Sequence, residues 1–345
     1  MSYSFHKTHT LKTKKLHTIS PSKVIFLIMT LLWIDTPIHA QQDNSSFHQP
    51  TFSLDKNKIR IYIPDTKDTL KLLIASDTHL WMSDDREDNY RKYSNRMAAA
   101  YHVTKHFKTG EDTNPEKAFI ETVNKAENLN IDAIALLGDI FSYPSEAAID
   151  WTTEILDKSG IPYYYTCGNH DWHYEGMEGS EVDLRQEWIN KRLLKMYKGN
   201  NPLNYSVDIK GIRLLFIDNS TYEILPKQLA FLQQQIKSGK PTIVMMHIPL
   251  YAQGRSVGFG CAHPDWNTTT DPSYVLEKRN PWPQNGHNPT TMKFREEVIN
   301  AQNILAVFAG HIHEQSLDLI KGIPQFVTQL NASGAYYEVE VMPLQ

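Results

Sequence analysis

From Lys58 onward, short apolar runs alternate with helical periodicities, and that alternation predicts most of the elements. Residues 58–64 (KIRIYIP) alternate as a half-buried strand does. Residues 72–76, 131–137, 161–167, 242–246 and 304–309 are continuous apolar runs of strand length. Residues 205–218 read as two strands about a Lys210-Gly211 turn, and further strands are predicted near 316–320, 325–328 and 336–341. Helical spacing predicts a helix over 115–129, with Asn114 as N-cap and Pro115 in the first position. It predicts others over 145–158, 181–197 and 226–237, and one ending near Ala301. Residues 41–57 read as a loose polar lead-in. Two long insertions are expected at about 81–113, polar and partly helical, and about 251–288, dense in Gly, Pro, Trp and charge. No composition break divides 58–345, so one domain is expected.

Five of the apolar runs stop at polar clusters: Asp77-Thr78-His79, Gly138-Asp139, Gly168-Asn169-His170-Asp171, His247 and Gly310-His311-Ile312-His313. Ligands in open α/β sheets sit beyond the carboxyl ends of the strands, so these clusters are expected to converge. Any one of them is ordinary, because Gly-Asp is common turn chemistry and a lone strand-end His is usually structural. Five in series imply a site.

Its donors are imidazole, carboxylate and amide, a set that suits first-row metals rather than Ca²⁺ or Mg²⁺. They outnumber the ligands of one tetrahedral zinc, and a dinuclear centre with a bridging carboxylate accounts for the excess.

The N-terminus changes the charge balance. Lys7, Lys12, Lys14, Lys15 and Lys23 precede an apolar run, Val24 to Ile34, and Ile38-His39-Ala40 resembles a small-residue cleavage site. The pattern predicts a secretory signal over residues 1–40, since the run is well short of the roughly 20 residues a spanning helix needs. Export to the periplasm or the extracellular space follows, with no membrane span after cleavage. Without that segment the formal charge moves from −4 to −8. So acidic a chain has no footprint for bulk nucleic-acid binding, and local positive charge must hold any anionic substrate. Export would permit a Cys167–Cys261 disulfide, with buried thiols as the alternative. The hydrophobic content of 41% and the two cysteines exclude a disordered chain and a disulfide scaffold.

In order and spacing, the five clusters resemble those of the calcineurin-like metallophosphoesterases, over roughly residues 70–315. The resemblance implies an α/β fold, a four-layer α-β-β-α sandwich with two central mixed β-sheets and a dinuclear site at the strand ends. It implies Asp77, His79, Asp139 and His313 on one ion, and Asp139, Asn169, His247 and His311 on the other. Mn, Fe or Zn, divalent or trivalent, would fill both positions. The implied reaction is hydrolysis of a small-molecule phosphomonoester or phosphodiester by in-line attack of a metal-bridging hydroxide. His170 would be the general acid, with Asp171 supporting it. Arg255 and His173 are weaker candidates for substrate contact. A nuclease-like phosphodiesterase and a metal-free binding module are the alternatives. Phosphoprotein phosphatases carry Asp, and purple acid phosphatases Tyr, at the position that is Ser142 here, with Tyr143 one residue on. Neither subgroup's pattern is matched, and no iron–tyrosinate colour is expected.

Overall fold

Alternating burial decides which face each strand presents. In chain order, β1 (Thr51–Asp55), β2 (Lys58–Ile63) and β3 (Leu70–Ala75) precede α1 (Arg91–Met97), a ribbon of β4 (Thr104–Lys105) and β5 (Asp112–Thr113), and α2 (Pro115–Asn128). Next come β6 (Ala133–Leu137), α3 (Glu146–Ser159), β7 (Tyr163–Thr166), α4 (Glu181–Trp188), α5 (Leu194–Tyr197), β8 (Asn204–Ile209) and β9 (Ile212–Ile217). The chain continues with α6 (Pro226–Lys237), β10 (Thr242–Met245), α7 (Pro289–Asn300), β11 (Ile304–Ala309), β12 (Ser316–Ile320), β13 (Ile323–Val327) and β14 (Tyr337–Pro343). This computed structural model describes residues 51–64, 66–98, 101–267, 269–271 and 286–344, all within one compact unit. The expected signal segment lies outside the described residues, as does 272–285 of the second insertion.

Two six-stranded mixed sheets form, ordered β1-β2-β14-β3-β6-β7 and β12-β13-β11-β10-β9-β8. Strands β3, β6 and β7 run parallel in the first; β9, β10, β11 and β13 run parallel in the second. Period-two alternation splits the second sheet's side chains between two cores. Leu214, Phe216, Met245 and Phe308 join the core shared with the first sheet. Leu215, Ile217, Val244 and Val307 pack instead on Leu232 of α6 and on Phe294 and Val298 of α7. The first sheet is covered in turn by Phe119 and Val123 of α2 and by Ile149 and Leu156 of α3. Each layer therefore buries an apolar face that would otherwise meet water, at about 1.5–3 kcal/mol per large side chain.

Local signals set the helix ends. The Asn114 side chain accepts from the Lys117 amide at 2.8 Å, and Ser145 accepts from the Ala148 amide at 3.2 Å. Two expectations need correction. Residues Thr51–Asp55 are not loose: they pair antiparallel with β2, and the Phe52 ring meets Phe326 edge-on at 5.5 Å. The predicted helix over 181–197 is interrupted by a π-helical turn at Ile189–Leu193. That wider turn aims Arg192 at the buried Glu87 carboxylate and at Tyr174, whose hydroxyl lies 2.8 Å from the guanidinium. No helix among the described residues is long and apolar enough to cross a membrane.

Candidate metal centre

Strands β3, β6, β7, β10 and β11 all end at one place, and the peptide segments beyond them keep bonding to each other. The Asp77 amide donates to Gly138 O at 2.9 Å, and the His79 amide donates to Asp139 O at 3.0 Å. Within the second sheet Gly310 N–H donates to His247 O at 2.8 Å, and the two sheets join where His311 N–H donates to Asp77 Oδ2 at 3.0 Å. Asp77, His79, Asp139, His311 and His313 all adopt positive φ, between 51° and 75°. That conformation costs about 1–3 kcal/mol per residue outside glycine, and such strain concentrates at functional sites. Two glycines admit the crowding. A Cβ on Gly138 would stand 2.7 Å from His247 Nδ1, and one on Gly310 would stand 2.5 Å from Asp77 Oδ2.

The residues fall into two triads, Asp77–His79–His313 and Asp139–His247–His311, and within each the ligand atoms lie within 4.8 Å of one another. In the first, His79 Nε2 and His313 Nε2 face each other at 3.2 Å, with Asp77 Oδ1 3.4 Å from the latter. In the second, His247 Nε2 lies 3.1 Å from both Asp139 Oδ2 and Asn169 Oδ1. His247 Nδ1–H donates to Leu137 O at 2.8 Å, so Nε2 is its coordinating atom. Imidazole nitrogens aimed at each other and at carboxylates, in a pocket that glycines keep open, fit two cations.

Titration reflects the same crowding. Burial pushes the Asp77 carboxyl up, but hydrogen bonding and charge from His313, with His247, outweigh it and bring it down to about 2. Asp139 is likewise held well below the carboxylate range by His247 and His170 against burial. Burial pulls His247 down, and Asp139 more than reverses this, to about 10. His311 is lowered to about 3 by burial and by the His247 charge, whereas the two other imidazoles of the first triad diverge. His79 falls well below its usual value through burial and the neighbouring His170, and His313 rises because Asp77 outweighs burial.

His170 belongs to neither triad. It is half-exposed, its amide donates to Asp139 Oδ1 at 2.7 Å, and its ring lies edge-on to His79 at 5.1 Å. Asp171, expected to support His170, has its carboxylate on main-chain amides. Asp171 is fully buried and accepts backbone N–H bonds from Gly168 (2.7 Å), Phe141 (2.8 Å) and Asp139 (2.9 Å). Its carboxylate ties the loops after β6 and β7 together. Burial and the Asp139 charge push that carboxyl up to about 7.

Of the weaker candidates, Arg255 pairs with Asp318 at 2.9 Å and lies over the Phe259 ring. His173 is buried, its ring 6.0 Å from that of Trp172. Cys167 and Cys261 are free and buried, and their thiols donate to Asp218 Oδ2 (3.1 Å) and Tyr222 O (3.2 Å). Tyr143 donates its hydroxyl to Trp81 O at 2.7 Å, outside both triads.

Three contributors carry no recognisable sequence signal. Asn219 fixes the His247 segment, accepting from the amides of His247 (3.2 Å) and Ile248 (3.0 Å) and donating to Ile248 O at 2.7 Å. Tyr101 and Tyr222 touch ligand imidazoles, Tyr101 stacking on His79 at 4.1 Å and Tyr222 placing its hydroxyl 2.9 Å from His311 Nε2.

The family model for calcineurin-like phosphoesterases matches residues 70–315. A probable cyclic nucleotide phosphodiesterase from Psychrobacter sp. (strain PRwf-1) is 23% identical over 211 residues, covering 59% of this chain and 53% of that protein. The chain thus spans about half the length of that relative. Similar solved structures include a dimetal phosphatase from Danio rerio, 12% identical, with a TM-score of 0.47 over 77% of this chain and 91% of that one. A purple acid phosphatase from yellow lupin (Lupinus luteus) seeds is 13% identical, with a TM-score of 0.47 over 80% of this chain and 46% of that one. The matched segment holds every candidate ligand from Asp77 to His313, and over it the chain belongs to the calcineurin-like phosphoesterase family.

Proposed function

We propose that this chain is an exported phosphoesterase that hydrolyses small phosphomonoesters or phosphodiesters with two metal ions. The observation that carries the reading is the pair of ligand triads built on strained loops beyond five strands. Two ions there supply Lewis acidity toward phosphoryl oxygens and a nucleophilic water at neutral pH. They also supply the positive charge that a chain of formal charge −8, without its first forty residues, lacks. Asp77, His79 and His313 would hold one ion, and Asn169, His247 and His311 the other. Asp139 would serve both ions, because a carboxylate offers two oxygens and an imidazole one nitrogen per ion.

The rest of the chemistry belongs to the protein. His170 stands beside the first triad with its ring accessible, placed to give a proton to the leaving oxygen. Asp171, through three backbone amides, fixes the loops that carry Asp139 and His170. The basic and apolar pattern of residues 1–40 supports export; N-terminal sequencing of the protein from cell-free fractions tests it.

A panel of p-nitrophenyl phosphate, bis(p-nitrophenyl) phosphate and cyclic AMP, with Mn²⁺, Zn²⁺ or Fe²⁺, tests the activity. The relative described as a cyclic nucleotide phosphodiesterase puts the last compound on the panel. Turnover of at least one ester that needs the metal is expected. Inert protein on all three, with ions bound, would refute the reading.

A further inference from the structure

The imidazoles of the two triads present one nitrogen inward and one outward, and what meets the outward nitrogen differs from ring to ring. For His247 it is the main-chain oxygen of Leu137. For His313, whose Nε2 faces His79 and Asp77, it is the hydroxyl of Tyr101, 3.4 Å from Nδ1. For His311 it is the hydroxyl of Tyr222, 2.9 Å from Nε2, which leaves Nδ1 for an ion. Among the described residues no hydrogen-bond partner meets the buried Nδ1 of His79, and its support is a ring: Tyr101 lies flat on it, centroids 4.1 Å apart and planes 17° from parallel. The same Tyr101 meets His313 edge-on at 5.4 Å. One phenol therefore touches both imidazoles of the first triad.

The tyrosines come from different places. Tyr101 lies in the insertion between α1 and β4. Tyr222 sits in the turn after β9 at φ 62°, its amide bonded to Asn219 O at 2.8 Å and its ring stacked on Trp266 at 6.0 Å.

We infer that Tyr101 and Tyr222 are positioning residues, one for each metal, which orient the His79/His313 pair and His311 respectively and so set the affinity of the two sites independently. A metal-ligating imidazole needs its second nitrogen held so that tautomer and ring plane are fixed before the ion arrives, and losing such a partner lowers metal affinity roughly 10–100-fold. The inference rests on the two-metal reading above.

Calorimetric titration of the purified protein with Mn²⁺ tests it without reference to turnover. Wild type is expected to show two binding steps, and His313→Ala and His247→Ala each to remove one, which identifies them. Tyr101→Phe keeps the ring stack and removes only the hydroxyl. It is expected to weaken the step lost in His313→Ala by about 10-fold or more and to leave the other within about twofold. Tyr222→Phe is expected to do the reverse. The Tyr101→Phe/His313→Ala double variant is expected to match His313→Ala in its remaining step, since the partner is already gone. Wild-type affinities in both Tyr→Phe variants, or equal weakening of both steps by either one, would overturn the inference. Fewer than two steps in wild type would overturn the two-metal reading itself, before any tyrosine variant is compared.

Discussion

Asp171→Asn separates two roles that a carboxylate next to His170 can play. The two oxygens accept three backbone amides at 2.7–2.9 Å in a fully buried setting, Oδ2 serving Gly168 and Asp139 and Oδ1 serving Phe141. Asparagine can keep its oxygen toward the first two donors, but its amide nitrogen, a donor, then faces the Phe141 N–H. One buried donor is left unsatisfied, at about 1–3 kcal/mol. Alanine leaves three, and the same arithmetic gives a loss of about 3–9 kcal/mol, enough to unfold a domain of ordinary stability. The conservative variant is therefore the informative one.

Urea unfolding of metal-free protein at pH 5 is expected to show Asp171→Asn less stable by about 1–3 kcal/mol. The gap is expected to narrow at pH 8. The wild-type carboxyl is raised in the fold to about 7, so its contribution is full below about pH 4 and is lost as the pH climbs through 7. Asparagine does not titrate. Turnover of alkyl esters by the metal-loaded variant provides the second readout: a support role would bring kcat down toward that of His170→Ala, whereas the brace leaves it near wild type. Equal stability at pH 5 together with a kcat lowered to that of His170→Ala would refute the reasoning.

Four further outcomes are expected. His170→Ala is expected to reduce kcat about 10²–10⁴-fold on esters with poor leaving groups while metal content stays at the wild-type level; unchanged turnover of alkyl esters would remove His170 as general acid. Ion loading at pH 7.5 is expected to expel a proton, because His247 is raised to about 10 without ions and must be neutral to coordinate; calorimetry in buffers of different ionisation enthalpy counts it, and a heat independent of buffer speaks against it. Gly310→Ala is expected to lose metal, since its Cβ would stand 2.5 Å from Asp77 Oδ2; full metal occupancy in the variant, measured by mass spectrometry, would contradict this. Denatured, unreduced protein is expected to titrate as two free thiols, and none would mean the Cys167–Cys261 bridge forms after all.

Much of this architecture is legible in the pattern of apolar residues. The runs that end at Asp77, Asp139, Asn169, His247 and His311 are buried strands of the two sheets, and Asn114 and Pro115 open α2 as their side chains dictate. Periodicity is local, so it could not reveal the π-helical turn at Ile189–Leu193, whose Arg192 meets a Glu87 about a hundred residues earlier. The strand at Thr51–Asp55 hid for a related reason: an edge strand exposes one face, and its polar alternation reads as a linker. At the site, the ligand residues announce themselves through Gly and His at strand ends. Their surroundings do not. Asp171 sits in a motif yet serves three main-chain amides, and Tyr101 comes from an insertion with no periodic pattern. Arg255 has the chemistry to suit a phosphate, but its pairing with Asp318, 63 residues on, has no local signal.

The most direct test counts ions and turnover on one preparation. Protein reconstituted with Mn²⁺ is expected to hold two ions per chain and to hydrolyse p-nitrophenyl phosphate or its bis ester. Chelation is expected to abolish turnover and re-addition to restore it, and Asp139→Asn to lose metal and turnover together. Turnover that survives complete removal of metal, or saturation at fewer than two ions, would contradict the account.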